Sequence, residues 1–367
     1  MPLGDCARAM GCYATPMALT LTQFFDLPHA GFDTLIDVRA PAEYAEDHIP
    51  SAINLPVLSD EERARVGTIY KQVSPFDARK LGAALVAANA ARHLQGPLAG
   101  MLGGWKPLVY CWRGGQRSGS FAMILGQIGW RVDTVAGGYK AWRGHVVDAL
   151  YEMPFPIRAV VLDGNTGAGK TALLPMLAAR GLQVLDLEGL ARHRGSLFGA
   201  VGPQPSQKAF ETALAYAIAA LDPSRPVVIE AESSKIGNCR LPASIWKAMQ
   251  SAPRLIIESP ARARAAHLVA AYPDMIADPV RLMGIIEMLR AAHPADQIAL
   301  WQAQAAAGQF VDLATGLMQA HYDPRYAKHR ARQDNAAQVL WAERLDSAGL
   351  DALAGEIAAA VAALTPA

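Results

Sequence analysis

The chain has 367 residues, more than one ordinary domain core holds, so two domains are predicted. Hydrophobic residues make up 52% of the chain and charged residues 18%, a balance that supplies packed cores and excludes a largely disordered protein. The formal net charge of +1 excludes a globally basic nucleic-acid binder, so any RNA contact must use local patches of Lys and Arg.

The cysteines and the N-terminal sequence narrow the class of protein further. None of the four cysteines stands in a CxxC or Cys/His spacing, so no metal site is expected, and so few cysteines are typical of a reducing cytosol. The sequence contains neither a secretory signal pattern nor a run of about 18 apolar residues, so no membrane contact is predicted. We expect a cytoplasmic protein in which residues 1–18 form a loose extension.

Strands and helices alternate over residues 19–150, which form the first predicted domain. Short apolar runs predict buried strands at 34–38, 52–55, 107–110 and 131–135. Helical spacing predicts helices at 41–46, 77–93 and 118–128. This alternation is typical of an α/β fold with a parallel sheet.

A segment with two prolines, 151–156, predicts the boundary to a second α/β domain over 151–260. Its predicted strands are 158–162, 183–186, 226–230 and 254–258, and its first predicted helix is 170–180. Beyond residue 261 the chain is rich in Ala, which predicts a helical C-terminal region over 261–367 packed on the second domain.

Cys111 opens an eight-residue loop, CWRGGQRS, between a predicted strand and a predicted helix. Two glycines free backbone N–H groups to turn inward, the helix N-terminus adds partial positive charge, and Arg113 and Arg117 add full charges. Each feature favours the thiolate, so a lowered pKa is predicted for Cys111, and Cys111, Arg113 and Arg117 are the predicted catalytic residues. The alternative, a buried cysteine acting only as a small apolar side chain, is disfavoured by the combination.

Residues 19–148 resemble a rhodanese domain. LIDVR at 35–39, HIPSAINL at 48–55, the Cys111 loop and GGYKAW at 137–142 occur in the order that the family has. One departure matters, because Arg117 gives the spacing C-x5-R, one residue longer than the ordinary sulfurtransferase loop. The longer loop is similar to the phosphatase branch of this fold and leaves room for a tetrahedral phosphate or for selenophosphate.

The second predicted domain begins with a strand, the sequence GNTGAGKT and a helix, the context in which this motif predicts a phosphate-binding P-loop. Backbone N–H groups wrap a phosphate, Lys170 supplies a charge, and the Thr171 hydroxyl can reach Mg²⁺. No adenine-recognition pattern accompanies the motif, so it need not bind ATP. The predicted phosphate- or diphosphate-binding residues are Gly164, Asn165, Thr166, Gly167, Ala168, Gly169, Lys170 and Thr171.

Polar residues close to later strand ends complete the second candidate site. Carboxylates at these positions can hold Mg²⁺, and Arg and His side chains suit diphosphate oxygens. The alternative for each is a solvated strand end or loop. The candidates are Asp186, His193, Arg194, Glu230, Glu232, Ser233 and Lys235.

Two basic stretches, 262–264 and 325–332, are the best sequence candidates for contact with an RNA backbone. Tyr326 in the second stretch offers a stacking surface. A solvated helix face is the alternative interpretation of both.

Taken together, the motifs resemble those of the tRNA 2-selenouridine synthase family over roughly residues 19–330. The rhodanese motifs, GNTGAGKT, DLEGLARHRGS at 186–196, QPSQ at 204–207 and EAESSKIG at 230–237 occur in the family order. The resemblance implies a transferase that acts on the wobble 2-thiouridine of a tRNA anticodon. It implies geranyl diphosphate as the first substrate and then selenophosphate, which a selenophosphate synthetase supplies, with Cys111 needed for the selenium step and no tightly bound cofactor.

Two other classes stay open from the residues alone. C-x5-R also fits a Cys-dependent phosphatase fused to a nucleotide-binding P-loop module. A non-catalytic binding protein with an inactive rhodanese domain is the third class, and the intact Cys111 argues against it.

Overall fold

Two separate parallel sheets organise the chain in the computed structural model, which describes residues 17–26, 31–330 and 337–364. The chain divides into two units, Met1–Ala149 and Leu150–Ala367, each with its own core. Residues 1–16 of the expected N-terminal extension lie outside the described residues.

The first unit is built on a five-stranded sheet in the order β1-β5-β4-β2-β3, with every pair parallel. Its strands are β1 (Ala18–Leu19), β2 (Thr34–Asp37), β3 (Ile53–Asn54), β4 (Pro107–Tyr110) and β5 (Asp133–Val135). The assignment of Ala18 to a loose extension is wrong, because its backbone pairs with Thr134 at the sheet edge. Since β4 is central, the residue after it lies among the carboxyl ends of its neighbours.

In the described part of the first unit, the α-helices are α1 (Pro41–Glu46), α2 (Asp60–Gln72), α3 (Pro75–Gln95), α4 (Gln116–Ile128) and α5 (Gly138–Val147). The sequence prediction missed α2. The sequence of α2 is polar and has little apolar periodicity. A capping box starts the helix: the Ser59 hydroxyl accepts from the Glu62 backbone N–H, and the Glu62 carboxylate accepts from the Ser59 backbone N–H. Helix α2 packs against α3, and α3 packs against α4, the helix that follows the cysteine loop.

The second unit holds another five-stranded parallel sheet, in the order β12-β11-β6-β8-β7, and a small antiparallel pair, β9 with β10. The strands are β6 (Ala159–Gly164), β7 (Gln183–Leu185), β8 (Val227–Glu230), β9 (Lys235–Ile236), β10 (Cys239–Arg240), β11 (Arg254–Glu258) and β12 (Ala337–Trp341). The central strand, β6, is fully buried and leads into the GNTGAGKT loop.

The helices of the second unit lie between and after its strands along the chain. They are α6 (Lys170–Ala179), α7 (Leu187–Ala191), α8 (Gln207–Ala219), α9 (Ala243–Ser251), α10 (Ala261–Ala271), α11 (Pro273–Ile276), α12 (Pro279–Met288), α13 (Ala295–Ala306), α14 (Phe310–Leu317), α15 (Asp323–Arg330) and α16 (Ser347–Ala363). Together with the two sheets they confirm the predicted α/β class.

The expectation of helices alone beyond residue 261 is wrong at Ala337–Trp341. This segment forms β12, which pairs in parallel with β11 along its whole length. Leu340 of β12 and Leu350 and Leu353 of α16 are buried in the same core as the P-loop strand. The Ala-rich context hides the strand from a local pattern, because a long-range ladder of hydrogen bonds decides its conformation.

Among the described residues, no helix is both long enough and apolar enough to cross a membrane.

Candidate functional site

The Cys111 thiol lies at the carboxyl end of β4, with 3% of the residue exposed. Two groups donate hydrogen bonds to its sulfur: the Gly115 backbone N–H at 3.3 Å and the Ser118 hydroxyl at 3.2 Å. Both donors belong to the loop and the first turn of α4, so the strand–loop–helix order of the sequence builds the cradle directly. Sequence reasoning missed Ser118, the last residue of CWRGGQRS, as a hydrogen-bond donor to the sulfur.

Opposing effects set the charge of this thiol. Burial by itself raises the pKa of Cys111. Hydrogen bonds from Ser118 and Gly115 and the charge of Arg117 lower it by more, so the pKa of Cys111 lies below the usual value of a cysteine thiol. This direction agrees with the sequence-based prediction. The loop therefore favours a nucleophilic thiolate.

The glycine pair after β5 lets the backbone approach the cysteine loop closely. A Cβ at Gly138 would lie 2.3 Å from the carbonyl oxygen of Cys111, and Gly138 has a φ of +59°. The next residue, Tyr139, donates its backbone N–H to the same carbonyl at 2.9 Å. Only glycine meets both demands, so GGYKAW fixes the back of the cradle.

The two arginines of the loop have different surroundings. Arg117 donates to the Glu43 carboxylate at 2.7 Å and is half-buried near the thiol. Arg113 is exposed. Arg117 thus supplies the charge felt by Cys111, and Arg113 is open to an incoming anion.

The P-loop curls between β6 and α6 with Gly167 and Gly169 at φ of +83° and +80°. Lys170 donates to the Gly164 carbonyl at 2.9 Å and lies 5.6 Å from the centre of the Tyr326 ring. Burial lowers the pKa of Lys170, but Tyr326 and nearby carboxylates raise it by more, so the ammonium stays charged. The geometry is that of a phosphate cradle.

Arg264 holds the P-loop to α15 through its guanidinium group. Its guanidinium donates to the Thr166 carbonyl at 3.0 Å and grips Asp323 through two bonds of 3.0 and 2.8 Å. The residue is 6% exposed, so the prediction that this position contacts RNA is wrong: its charge is used inside the protein. Its neighbour Arg262 is 82% exposed and lies 3.8 Å from Asp312.

Three carboxylates surround the Thr171 hydroxyl and its loop. Thr171 donates to Glu188 at 2.8 Å and lies 3.4 Å from Glu230, which accepts from the Glu188 backbone at 2.8 Å. Glu232 lines the same cavity as Lys170. Sequence reasoning missed Glu188, although it stands in the DLEGL stretch, because nothing local distinguishes it from Asp186.

Crowding of these carboxylates changes their charge. Burial and the neighbouring Glu188 raise the pKa of Glu230 well above its usual value, and they raise that of Glu232 to about 8. Asp186 plays a different part, because its carboxylate caps α7 by accepting from Gly189 at 2.7 Å. Its role as a magnesium ligand stays a prediction.

The other predicted residues of the second unit divide between cavity and surface. Arg194 lines the P-loop cavity, pairs with Asp274 at 3.0 Å and lies 4.5 Å from the centre of the Tyr272 ring. His193 lines a neighbouring cavity with Thr171, and burial lowers its pKa. Ser233 and Lys235 are exposed and bonded to each other through the Lys235 backbone, and neither is among the residues that line the two cavities.

An apolar cleft opens beside the phosphate cradle. Its empty space, including the part open to solvent, is about 620 Å³, and it shares Thr166, Ser196, Leu268 and Tyr272 with the P-loop cavity. Helix α14 supplies four of its apolar side chains, Phe310, Leu313, Ala314 and Leu317. Met275 of α11, Leu282 of α12 and Met318, just after α14, are among the others. The junction therefore places an apolar surface next to the phosphate-binding loop.

No group of three or more His, Cys, Asp or Glu side chains in the described part of the chain is arranged to hold a metal ion.

Comparisons with known proteins match both halves of the chain. Residues 20–145 match the model of the rhodanese-like domain, and residues 157–293 match the model described as the tRNA 2-selenouridine synthase AAA domain. The chain is similar to proteins named tRNA 2-selenouridine synthase in three bacteria. It is 37% identical to that of Nitrosomonas europaea over 65% of this chain and 63% of the relative. It is 38% identical to that of Aeromonas salmonicida over 70% of this chain and 68% of the relative. It is 39% identical to that of Sulfurovum sp. over 63% of this chain and 63% of the relative.

Proposed function

The chain belongs to the tRNA 2-selenouridine synthase family, and from that premise we propose that it converts a wobble 2-thiouridine of tRNA to 2-selenouridine. The proposal has two steps. Geranylation of the sulfur is assigned to the P-loop, and exchange of the geranylated sulfur for selenium is assigned to the Cys111 loop. The alignments span 63 to 68% of the three relatives, so activity, substrates and partners are proposals for this chain.

The junction of the phosphate cradle with the apolar cleft carries the first step. The 2-thio sulfur attacks C1 of geranyl diphosphate, the C–S bond forms, the allylic C–O bond breaks, and the N3 proton of the base is released. Negative charge then develops on the diphosphate, where Lys170 and the loop N–H groups stabilise it. The ten-carbon chain occupies the apolar cleft.

Mg²⁺ fits this proposal as a partner of the diphosphate. The Thr171 hydroxyl and the Glu188 carboxylate, 2.8 Å apart, would hold it with few protein oxygens, as is usual for Mg²⁺ on phosphates. When bound, it would add positive charge at the leaving group.

The Cys111 loop is assigned to the second step. Selenophosphate is a tetrahedral anion, and the C-x5-R loop offers inward N–H groups and Arg113. The C2–S bond of the base breaks, a C2–Se bond forms, geranylthiol leaves, and water hydrolyses the Se–P bond to release phosphate. A selenophosphate synthetase would supply the donor.

Nucleoside mass spectrometry of tRNA from a strain lacking the gene, complemented with variants, tests the assignment. We expect Cys111→Ser to accumulate S-geranyl-2-thiouridine without 2-selenouridine, and Lys170→Ala to leave 2-thiouridine unconverted. Persistence of 2-selenouridine in the deleted strain would contradict the proposal. Release of phosphate from an aryl phosphate, lost in Cys111→Ser, would instead favour the phosphatase alternative.

A further inference from the structure

A wide groove lies in the first unit between α2, α3 and the start of α4, and we call it the α2–α3 groove. Its empty space, including the part open to solvent, is about 1100 Å³. Small residues on the two long helices, among them Gly67, Ala78 and Gly82, leave this room. Neither cradle described above accounts for the groove.

The lining of the α2–α3 groove is cationic. Arg63, Lys71, Arg79 and Arg117 line it, and no Asp or Glu does. Glu43 lies 3.8 Å from Arg63 and 2.7 Å from Arg117, which offsets part of their charge.

Lys71 and Arg79 are exposed, and neither forms an ion pair with any described residue. In a chain whose formal net charge is +1, this local excess points to an anionic partner.

The spacing of the cations fits a polyanion better than a single anion. Arg63 and Lys71 are eight residues apart on one helix, a separation of about 12 Å along its axis at 1.5 Å per residue. One phosphate cannot span that distance, whereas successive phosphates of a nucleic-acid strand can. Tyr70, 55% exposed, adds an aromatic face to the same groove.

The groove and the cysteine loop share residues at the start of α4. Gln116 and Arg117 belong to the CWRGGQRS loop and also line the groove, next to Ser120. A strand held in the groove would therefore contact one end of the cysteine loop.

We propose that the α2–α3 groove binds the RNA backbone next to the modified base, with Lys71 and Arg79 on phosphates and Tyr70 against a base. This inference rests on the proposed function, because it takes tRNA as the substrate. It adds the surface that presents the base to Cys111, at a place that neither basic stretch singled out in the sequence occupies.

Fluorescence anisotropy of the full chain with a labelled anticodon stem-loop RNA, over a series of salt concentrations, tests the groove. We expect Lys71→Glu/Arg79→Glu to weaken binding by about ten-fold or more and to reduce the slope of log K against log salt by roughly 1 to 2. The matched control is Arg65→Glu/Lys80→Glu, on the same helices but outside the groove lining, and it should change the affinity by less than about two-fold. Tyr70→Ala should weaken binding about five-fold or more while leaving the salt slope unchanged.

Different failures have different meanings. Suppose that the wild type binds and modifies RNA, but Lys71→Glu/Arg79→Glu and the control Arg65→Glu/Lys80→Glu bind RNA with the same affinity. The groove assignment is then overturned and the proposed function stands. If the wild type neither binds the RNA nor modifies tRNA, both fall. If a polyglutamate peptide binds the groove as tightly as the RNA does, an acidic protein replaces RNA as the occupant. Retained alkylation of Cys111 with unchanged pH dependence shows that each variant is folded.

Discussion

At the scale of single residues, Cys111 illustrates how local donors overcome burial. An isolated thiolate with 3% exposure would be unfavourable, and two hydrogen bonds with a nearby guanidinium reverse the balance. Ser118, in the first turn of α4, is the side-chain donor to the sulfur. The charge of the nucleophile therefore depends on a residue that has no chemistry of its own.

Replacing this donor tests that view. Ser118→Ala should raise the pKa of Cys111, because the thiolate loses a hydrogen bond while burial stays the same. At neutral pH the alkylation rate of the Cys111 peptide by iodoacetamide, followed by mass spectrometry, should fall about three- to ten-fold. Ser120→Ala, on the same helix without a bond to the sulfur, should keep the wild-type profile. An unchanged profile in Ser118→Ala would mean that Arg117 and the backbone suffice.

At the scale of elements, the sequence predicts both cradles because each is a local strand–loop–helix unit. The apolar runs before Cys111 and Gly164 and the glycines after them carry that information within about 15 residues. Glu188 and Arg264 could not be predicted, because their roles depend on contacts with Thr171 and Thr166 far away in the chain. Local patterns contain no record of such pairings.

The anchor formed by Arg264 should matter to the P-loop more than its exposed neighbour does. Arg264→Ala leaves Asp323 half-buried without its partner and frees the Thr166 carbonyl, so we expect a loss of about 3 kcal/mol in the free energy of unfolding. Binding of inorganic diphosphate, measured by calorimetry, should weaken as well. Arg262→Ala should do neither, within about 0.5 kcal/mol. Equal effects of the two changes would refute the anchor.

The apolar cleft should distinguish a prenyl diphosphate from diphosphate alone. Ala314→Trp adds bulk to the cleft wall on α14, so it should weaken geranyl diphosphate binding by about ten-fold while sparing inorganic diphosphate. Ala299→Trp, at an exposed position of α13, is the control. Parallel weakening of both ligands in Ala314→Trp would show that the tail does not enter the cleft.

At the scale of the whole molecule, each unit has its own sheet and its own buried core. The division at residues 149/150 lies beside the proline-containing segment from which the sequence predicts a boundary. Damage to one core should therefore leave the other intact.

Calorimetry of a glycine variant checks this independence. Gly138→Ala forces a Cβ against the Cys111 carbonyl at positive φ, so it should lower the unfolding free energy of the first unit by about 2 kcal/mol or more. The transition that inorganic diphosphate shifts upward should stay in place. Gly144→Ala, in open space within α5, should stabilise the same unit by about 0.5 to 1 kcal/mol. If Gly138→Ala instead shows one unfolding transition that shifts as a whole, the two units do not unfold independently.

The position of β12 has a consequence for how the protein is made. On the ribosome, every strand of the first sheet has been translated once residue 135 is added. The first unit can therefore fold while the second unit is still being translated. The second sheet must wait, because its outer strand and the α16 face that covers it arrive only after residue 336. Until then the edge of β11 and the apolar side of α6 lie uncovered, which makes the nascent second unit the part that most needs a chaperone.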